Sequence, residues 1–168
     1  MNGEIEEQDK VRYLGKPPKF QKYLRKTQES KGIIRRVWTH IYHFECKKNM
    51  LQIPESIQLG GGAYFGHAFC IVINPDVVIG MNCNIHGGVT IGQENRGKRK
   101  GVPIIGNDVW IGMHTVIVGK VRIGNDVLIA PNSYVNCDIP DHSIVYGNPC
   151  VIKHCENATR DYINNRVV

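Results

Sequence analysis

The stretch that decides the fold is IIGNDVWIGMHTVIVGKVRIGNDVLIAPNSYV, residues 104–135, in which an aliphatic residue returns at every sixth position. A helix repeats its apolar face about every 3.6 residues and a strand about every second residue, so neither element alone has this period. Short strands separated by corners do have it, with three hexapeptides forming one triangular coil of about 18 residues. The repeated side chains then point inward and stack in ladders. They are Ile105, Ile111, Ile117, Ile123, Ile129 and Val135.

The same period continues towards the N-terminus in two further phases, and three phases imply two interruptions of the coil. Asn107 and Asn125 each follow a glycine, and we expect them at corners, because asparagine tolerates a left-handed backbone. The sequence therefore predicts a mainly β protein built as a parallel β-helix of hexapeptide repeats. The two further phases consist of Ile73, Ile79, Ile85 and Ile91, and of Ile53, Leu59, Phe65 and Ile71.

The repeat divides the chain into three parts. Residues 1–50 form a short, basic, helical N-terminal segment, residues 51–153 the β-helix domain, and residues 154–168 a C-terminal tail. The first part predicts one amphipathic helix, or two short ones, packed over the end of the prism. The apolar residues that recur there at helical spacing are Ile33, Ile34, Val37, Trp38, Ile41 and Tyr42.

Two segments inside the β-helix domain depart from regular coils. Residues 93–103 are polar, contain glycine and are too long for a corner, so we expect a protruding, exposed loop, a place where function often lies. Residues 142–153 are expected to form a final strand.

Composition limits the class of protein. With 168 residues, of which 42% are hydrophobic, the chain predicts a globular protein with a buried core. No apolar run approaches the roughly 18 residues of a membrane helix and no apolar signal segment opens the chain, so we expect a cytoplasmic protein without membrane insertion. The six cysteines lack CxxC or zinc spacing, and no His, Cys or carboxylate cluster has metal spacing; we expect reduced thiols and no metal.

Positive charge is concentrated before the repeat. The net charge is +6, and no nucleic-acid motif accompanies the basic residues, so they predict a solvated helix face and no nucleic-acid partner. A basic surface also suits a phosphorylated ligand.

Three features together resemble the hexapeptide-repeat acyltransferases over residues 50–153: the period itself, the segment PDHSIVYGNPCVI at 140–152 and the phrase GNDVWIG at 106–112. The nearest likeness is to serine acetyltransferase and to the enzymes that O-acetylate sugars of capsular and exopolysaccharides. From His67 to Gly112 the chain follows the serine acetyltransferase pattern without a gap. The resemblance implies a left-handed coil, acetyl-CoA as co-substrate, no metal, and a homotrimer with one active site at each interface.

His67 occupies the position of the family's catalytic histidine. An imidazole with an unperturbed pKa of about 6.5 can take a proton from a hydroxyl at physiological pH. The hypothesis is that His67 acts as general base while the acceptor hydroxyl attacks the thioester, and that backbone N–H groups stabilise the oxyanion. Without the resemblance, a strand cap or corner residue would be the default reading. Two candidate supporting residues are His86, which follows the inward Ile85 and should face outward, and Gln52, at the position of the family's partner aspartate.

Four polar groups of serine acetyltransferases are missing here. Their positions hold Gln52, Gly66, Gly101 and Val102, whereas a zwitterionic substrate needs fixed charges to receive it. Arg99 or Lys100, the candidate substrate residues of the loop, could replace the missing arginine through a shift of that loop.

Three alternatives for function therefore stand. The first is an O-acetyltransferase acting on a sugar hydroxyl of a surface polysaccharide precursor. The second is serine O-acetyltransferase of cysteine biosynthesis. The third is a non-catalytic β-helix scaffold, since a fold alone determines no chemistry.

The resemblance places coenzyme A in the groove between neighbouring prisms, along the late coils. There Trp110 could line the pantetheine arm, and basic side chains could meet the phosphates. Serine acetyltransferases dock through a terminal isoleucine into the next enzyme of cysteine synthesis; this chain ends in Val168, so such docking is not expected. The candidate cofactor-binding residues are Trp110, Gly112, Lys120, Arg122, Ala130 and Lys153.

Overall fold

The computed structural model describes residues 2–168 as three N-terminal helices followed by a parallel β-solenoid of about 5 turns. The helices are α1 (Asn2–Arg12), α2 (Lys19–Glu29) and α3 (Gly32–Lys48). The strands are β1 (Gln58–Leu59), β2 (Tyr64–Gly66), β3 (Val72–Ile73), β4 (Val78–Ile79), β5 (Asn84–His86), β6 (Thr90–Gly92), β7 (Ile104–Ile105), β8 (Val109–Ile111), β9 (Val116–Val118), β10 (Arg122–Ile123), β11 (Val127–Ile129), β12 (Tyr134–Val135), β13 (Ser143–Tyr146) and β14 (Val151–His154).

The strands form the three faces of a prism. The first face contains β1, β4, β7 and β10, the second β2, β5, β8, β11, β13 and β14, and the third β3, β6, β9 and β12. Successive strands within a face pair in parallel, and only β13 and β14 pair antiparallel. The predicted mainly β fold, a parallel β-helix with an N-terminal helical segment, is confirmed. Its left-handedness follows from the resemblance and stays a prediction.

Each face contributes one ladder of aliphatic side chains to the core. Ile85 pairs with Ile111 on the second face, and Ile91 pairs with Ile117 on the third. All four side chains are fully buried. Burying a side chain of this size stabilises the fold by about 1.5–3 kcal/mol relative to exposure. The six-residue period is therefore the repeat of the buried positions.

The first interruption begins earlier than predicted, directly after Phe65 instead of after Ile71. Ile73 pairs with Ile91 in the third ladder, as the predicted phase requires. Ile71 is buried but outside the ladder, and its carbonyl accepts the N–H of Gln52. The two additional residues widen the corner after β2, where His67 adopts a left-handed φ of 50°.

The two asparagines that were predicted to be left-handed each lie one residue before the left-handed residue of the corner. The left-handed residues are Asp108, with φ 54°, and Asp126, with φ 51°. Asn107 and Asn125 instead connect the coils through their side chains: the Oδ1 of Asn125 accepts the N–H of Asn107, and the Oδ1 of Asn107 accepts that of Met81, both at 2.8 Å. Each amide thus satisfies a backbone donor of the preceding coil.

The helices pack differently from the prediction. The N-terminal half of α3 is exposed: the relative exposure of Ile33, Ile34 and Val37 is 52–78%. It is α2 that packs on the prism, through the buried Phe20 and Leu24. Because α2 covers the end of the first coil, α3 reaches the prism only near its own C-terminal end.

Two arginines that were expected on a solvated face are buried. Arg25 donates to the carbonyls of Leu59 and Gly60, both at 2.8 Å, and Arg12 donates to the carbonyl of Gly62 at 2.8 Å. The strand β1 is the outermost strand of the first face, so its free edge has no further coil to pair with. Guanidinium groups supply the missing donors there.

The C-terminal part of the chain also differs from the prediction. Residues 142–153 form the antiparallel hairpin β13–β14 rather than one strand. The tail then runs back along the corner between the first and second faces, where Asp126 accepts the N–H and the hydroxyl of Thr159. Farther along, Asn82 bonds to both the N–H and the carbonyl of Val167. Within residues 2–168, no helix combines the length and apolarity that a membrane crossing needs.

Candidate functional site

His67 lies at the corner that joins the second and third faces. It directly follows β2, its side chain is exposed, and its backbone is left-handed. Two coils further along, His114 occupies the same corner with φ 57°. Histidine is among the non-glycine residues most often found in this conformation. The rigid sheet thus presents the imidazole of His67 to solvent, where a substrate can reach it.

His86 lies next to His67, with 6.4 Å between the ring centroids. In the register of β2 and β5 it pairs with Gly66, and a Cβ at Gly66 would come within 2.5 Å of the His86 ring. Only glycine therefore leaves room for this imidazole. The prediction that His86 faces outward agrees with this position.

The ring of His86 is electrically neutral near neutral pH. Burial lowers the pKa of His86, and the neighbouring charge of protonated His67 lowers it further. Its Nε2 atom is buried and has no hydrogen-bond partner among residues 2–168. A neutral, unpaired imidazole nitrogen thus lies buried beside the candidate base.

A row of rings continues from His86 across the second face. Trp110 of β8 lies 4.7 Å from His86, and Tyr162 of the tail meets Trp110 edge-to-face at 5.2 Å between centroids. Tyr64 of β2 stacks on Tyr13 at 4.7 Å. Aromatic side chains thus line the surface between His67 and the tail.

These rings border a cavity of about 420 Å³ between the second face, the end of α1 and the tail. Among the lining residues only Arg12 carries a full charge at neutral pH. Its guanidinium already bonds to the carbonyl of Gly62 and to the amide oxygen of Asn84. The remaining wall is aromatic or amide. The lining residues are Arg12, Tyr13, Leu14, Tyr64, Asn84, His86, Trp110, Tyr162, Asn164 and Asn165.

The loop 93–103 projects at the corner between the third and first faces. Glu94 and Gly101 close it through two backbone hydrogen bonds of 2.9 and 3.0 Å. The side chains of Arg99 and Lys100 are exposed, and the carbonyl of Arg99 accepts the N–H of Lys120 at 2.8 Å. The structure thus brings Arg99, Lys100 and Lys120 together, at a different corner from His67.

Other predicted cofactor residues are dispersed. Arg122 begins β10 on the first face, whereas Lys153 lies on β14 with its ammonium 5.7 Å from the Tyr146 ring. Gly112 is buried, and a Cβ there would lie 2.5 Å from the backbone nitrogen of Pro131, so this glycine has a packing role. Ala130 lies in the next coil, half-buried.

Gln52 lies on the other side of the His67 corner. It forms an isolated parallel bridge with Val72, which extends the third face by one coil. Its exposed side chain borders a mostly apolar cavity of about 570 Å³ against α3. Within residues 2–168, no three His, Cys, Asp or Glu side chains come together in a way that could hold a metal ion.

Sequence reasoning missed Arg12, Tyr64, Asn84 and Tyr162. The hexapeptide period could have found Asn84, because it precedes the inward Ile85 and therefore faces outward like Trp110. Arg12 and Tyr162 could not be found in this way. They are 72 and 78 residues from Asn84 and reach it only through the folding of α1 and the tail.

Comparison with known proteins agrees with this architecture. The profile of the family described as bacterial transferase hexapeptide (six repeats) matches residues 103–137. Over these residues the chain resembles that family. The chain is also 32% identical over 98 residues to the serine acetyltransferase of Helicobacter pylori, with 58% of this chain and 57% of that protein covered.

Two solved structures extend this likeness. The Neisseria gonorrhoeae serine acetyltransferase in complex with serine matches with a TM-score of 0.64 and 28% identity, covering 80% of this chain and 53% of that one. The Brucella abortus serine acetyltransferase in complex with coenzyme A matches with a TM-score of 0.68 and 25% identity, covering 80% and 54%. The chain spans 36% to 57% of the length of three curated serine acetyltransferases that it matches. The predicted resemblance to serine acetyltransferases within the hexapeptide-repeat acyltransferases is confirmed.

Proposed function

We propose that this protein is an acetyl-CoA-dependent O-acetyltransferase that moves an acetyl group to an acceptor hydroxyl, with His67 as general base. The observation that carries the proposal is the exposed imidazole of His67 on a rigid corner, beside a neutral His86 and a cavity of substrate size. The similarity to serine acetyltransferases, one of them solved with coenzyme A, supports acetyl-CoA as the donor.

In the proposed reaction, His67 takes the proton of the acceptor hydroxyl as its oxygen attacks the thioester carbonyl. The tetrahedral oxyanion collapses, coenzyme A leaves, and the imidazolium of His67 returns the proton to the thiolate. His86 acts as a positioning residue. Because its own pKa is lowered, it adds no second positive charge beside the imidazolium of His67.

The donor phosphates need cations, and the exposed Lys120 supplies one from the cluster that it forms with Arg99 and Lys100 at one corner. This corner is not that of His67, so within one chain the candidate base and the phosphate-binding cations lie on different edges of the prism. A neighbouring copy of the chain would bring its His67 to this cluster. We therefore propose a homotrimer in which each site lies between two prisms.

Serine is the acceptor that the comparisons favour. The relatives are serine acetyltransferases, and the Neisseria gonorrhoeae protein was solved in complex with serine. In this assignment Arg99 or Lys100 would receive the carboxylate of serine, in place of the arginine for which Gly101 stands here.

A sugar hydroxyl of a surface polysaccharide precursor is a second candidate, favoured by the composition of the cavity. Aromatic rings and amides suit a neutral, polyhydroxylated ligand. The cavity lining contains no carboxylate that could pair with an ammonium, and its single guanidinium is already bonded to Gly62 and Asn84. A zwitterion would find few partners there.

One assay separates these acceptors. Thiol release from acetyl-CoA is measured with serine and with a panel of sugars, for the wild type, His67→Ala and His114→Ala. The last variant is a matched control, because His114 is exposed at the same corner with nearly the same φ. We expect His67→Ala to lower kcat/KM by about 10²–10⁴-fold, the usual contribution of a general base, and His114→Ala to retain activity.

The outcomes discriminate clearly. Full activity of His67→Ala would refute the proposed base. If neither serine nor any sugar supports thiol release by the wild type, the hypothesis of a non-catalytic scaffold replaces that of an enzyme.

A further inference from the structure

Two cysteines from separate segments of the last coil lie in contact. The Sγ atoms of Cys137 and Cys150 are 3.6 Å apart. Cys137 follows β12, and Cys150 lies in the turn that connects β13 with β14. Among residues 2–168, this is the one pair of thiols within hydrogen-bonding distance of each other.

The pair is placed so that a disulfide could form with little rearrangement. A disulfide has an S–S distance of about 2.05 Å, so the sulfurs must approach by roughly 1.5 Å. Both residues lie outside regular strands, and Asn148 and Pro149 in the same turn are exposed. Neither cysteine occupies an inward ladder position, so the core ladders stay intact as the sulfurs move.

Both cysteines also lie near the protein surface. Cys137 and Cys150 are only half-buried, whereas Cys46 and Cys83 are buried. Burial raises the pKa of Cys137, and its hydrogen bond with Cys150 raises it further, while the positive charge of Arg99 lowers it. Thiolate is the reactive form, so the pair should react faster as the pH rises.

We propose that Cys137 and Cys150 form a redox-active dithiol that a low-molecular-weight disulfide, such as oxidised glutathione, converts into an intramolecular disulfide. One cysteine thiolate attacks a sulfur of the small disulfide and releases one small thiol. The second cysteine then attacks the resulting mixed disulfide and releases the other. The protein loses two hydrogens, and the small disulfide is reduced to two thiols.

The disulfide would join the last corner of the solenoid to the turn of the terminal hairpin. That corner lies next to the segment that holds the loop, because the N–H of Arg122 bonds to Asp138 and the N–H of Lys120 bonds to Arg99. Oxidation would therefore restrict motion at the end of the prism where Arg99, Lys100 and Lys120 lie. The inference is independent of the proposed acetyl transfer and concerns the thiols alone.

The full chain is incubated with oxidised glutathione across a range of pH, alkylated with iodoacetamide and mapped by mass spectrometry. We expect a peptide that links Cys137 to Cys150, a mass loss of two hydrogens, faster formation at higher pH and reversal by dithiothreitol. In Cys150→Ser the glutathione should remain on Cys137, because the second thiol is missing. Cys155→Ser, which changes a half-buried cysteine directly after β14, should still form the linked peptide.

Separate glutathione adducts on the two cysteines of the wild type would overturn the proposal. So would full alkylation of both after the treatment. Because these results come from the wild-type map, they do not depend on whether a variant folds.

Discussion

Replacing Asp9 by alanine should loosen α1 and α2 from the first coil of the solenoid. The carboxylate of Asp9 and the guanidinium of Arg25 are 2% and 3% exposed, and Oδ2 of Asp9 lies 2.9 Å from Nε of Arg25. Oδ1 of Asp9 also accepts the N–H of Gly62 at 3.1 Å. Asp9→Ala therefore leaves a buried cation without its counter-charge and a buried N–H without its acceptor.

The expected magnitude follows from what remains around Arg25. Removing one partner of a buried ion pair costs about 3–5 kcal/mol. Arg25 keeps its hydrogen bonds to the carbonyls of Leu59 and Gly60, both at 2.8 Å, so we expect the lower end of that range. For a chain of this size each kcal/mol shifts the unfolding midpoint by about 2–4 °C, which predicts a fall of about 6–12 °C.

Thermal unfolding followed by circular dichroism measures this shift. Glu7→Ala is the matched control on the same helix, because Glu7 pairs with Lys10 at 2.6 Å on the exposed surface, and such pairs contribute little. Asp9→Asn should fall between wild type and Asp9→Ala, since it can still accept from Gly62. An unfolding midpoint for Asp9→Ala equal to that of Glu7→Ala would refute the role assigned to the ion pair.

Two further predictions concern His86 and the tail. Gly66→Ala should displace the His86 ring, because the new Cβ would lie 2.5 Å from it, and should lower acetyl transfer by about 10²-fold. Gly92→Ala is the control: its Cβ would meet nothing nearer than 3.7 Å, so this variant should remain active. Equal activities of the two variants would contradict the reasoning. The hydrogen bond to Asp126 raises the pKa of His142, so its contribution to tail docking is complete below about pH 6.5 and is lost as the pH rises through the raised value. Burial alone would raise the pKa of Asp126, but hydrogen bonds from Thr159 and His142 lower it to about 2, so its contribution is present above about pH 3.8 and is lost as the pH falls towards 2. Protection of the Thr159 amide, the intrinsic exchange rate relative to its observed rate at the same pH, should therefore be greatest between these limits. Glu156, Asp141 and His154 are the other ionisable groups facing His142. His142→Gln should remove the upper pH dependence, and a wild-type protection profile that is flat above pH 6.5 would contradict the reasoning.

The core and the outward positions of the solenoid could be predicted from the sequence. The contacts that build each ladder join residues a fixed number of positions apart, as Ile111 and Ile129 show at one coil of separation. Because this separation is constant, the buried positions recur regularly in the sequence. Counting from them also placed His86 and Trp110 on the outside of the prism. His67 was proposed as the general base from its place beside the first interruption together with the family resemblance.

The tertiary structure alone decided what lies over the prism. The apolar positions of α3 predicted a packed face, yet α2 covers the first coil and leaves Ile34 exposed. Likewise, Arg12 and Tyr162 reach the cavity from opposite ends of the chain, and Cys137 meets Cys150 across a hairpin. These contacts join segments at irregular separations, so no sequence period records them. They depend on which surfaces remain free once the ladders have formed, and that is determined only when the helices and the tail pack against the completed solenoid.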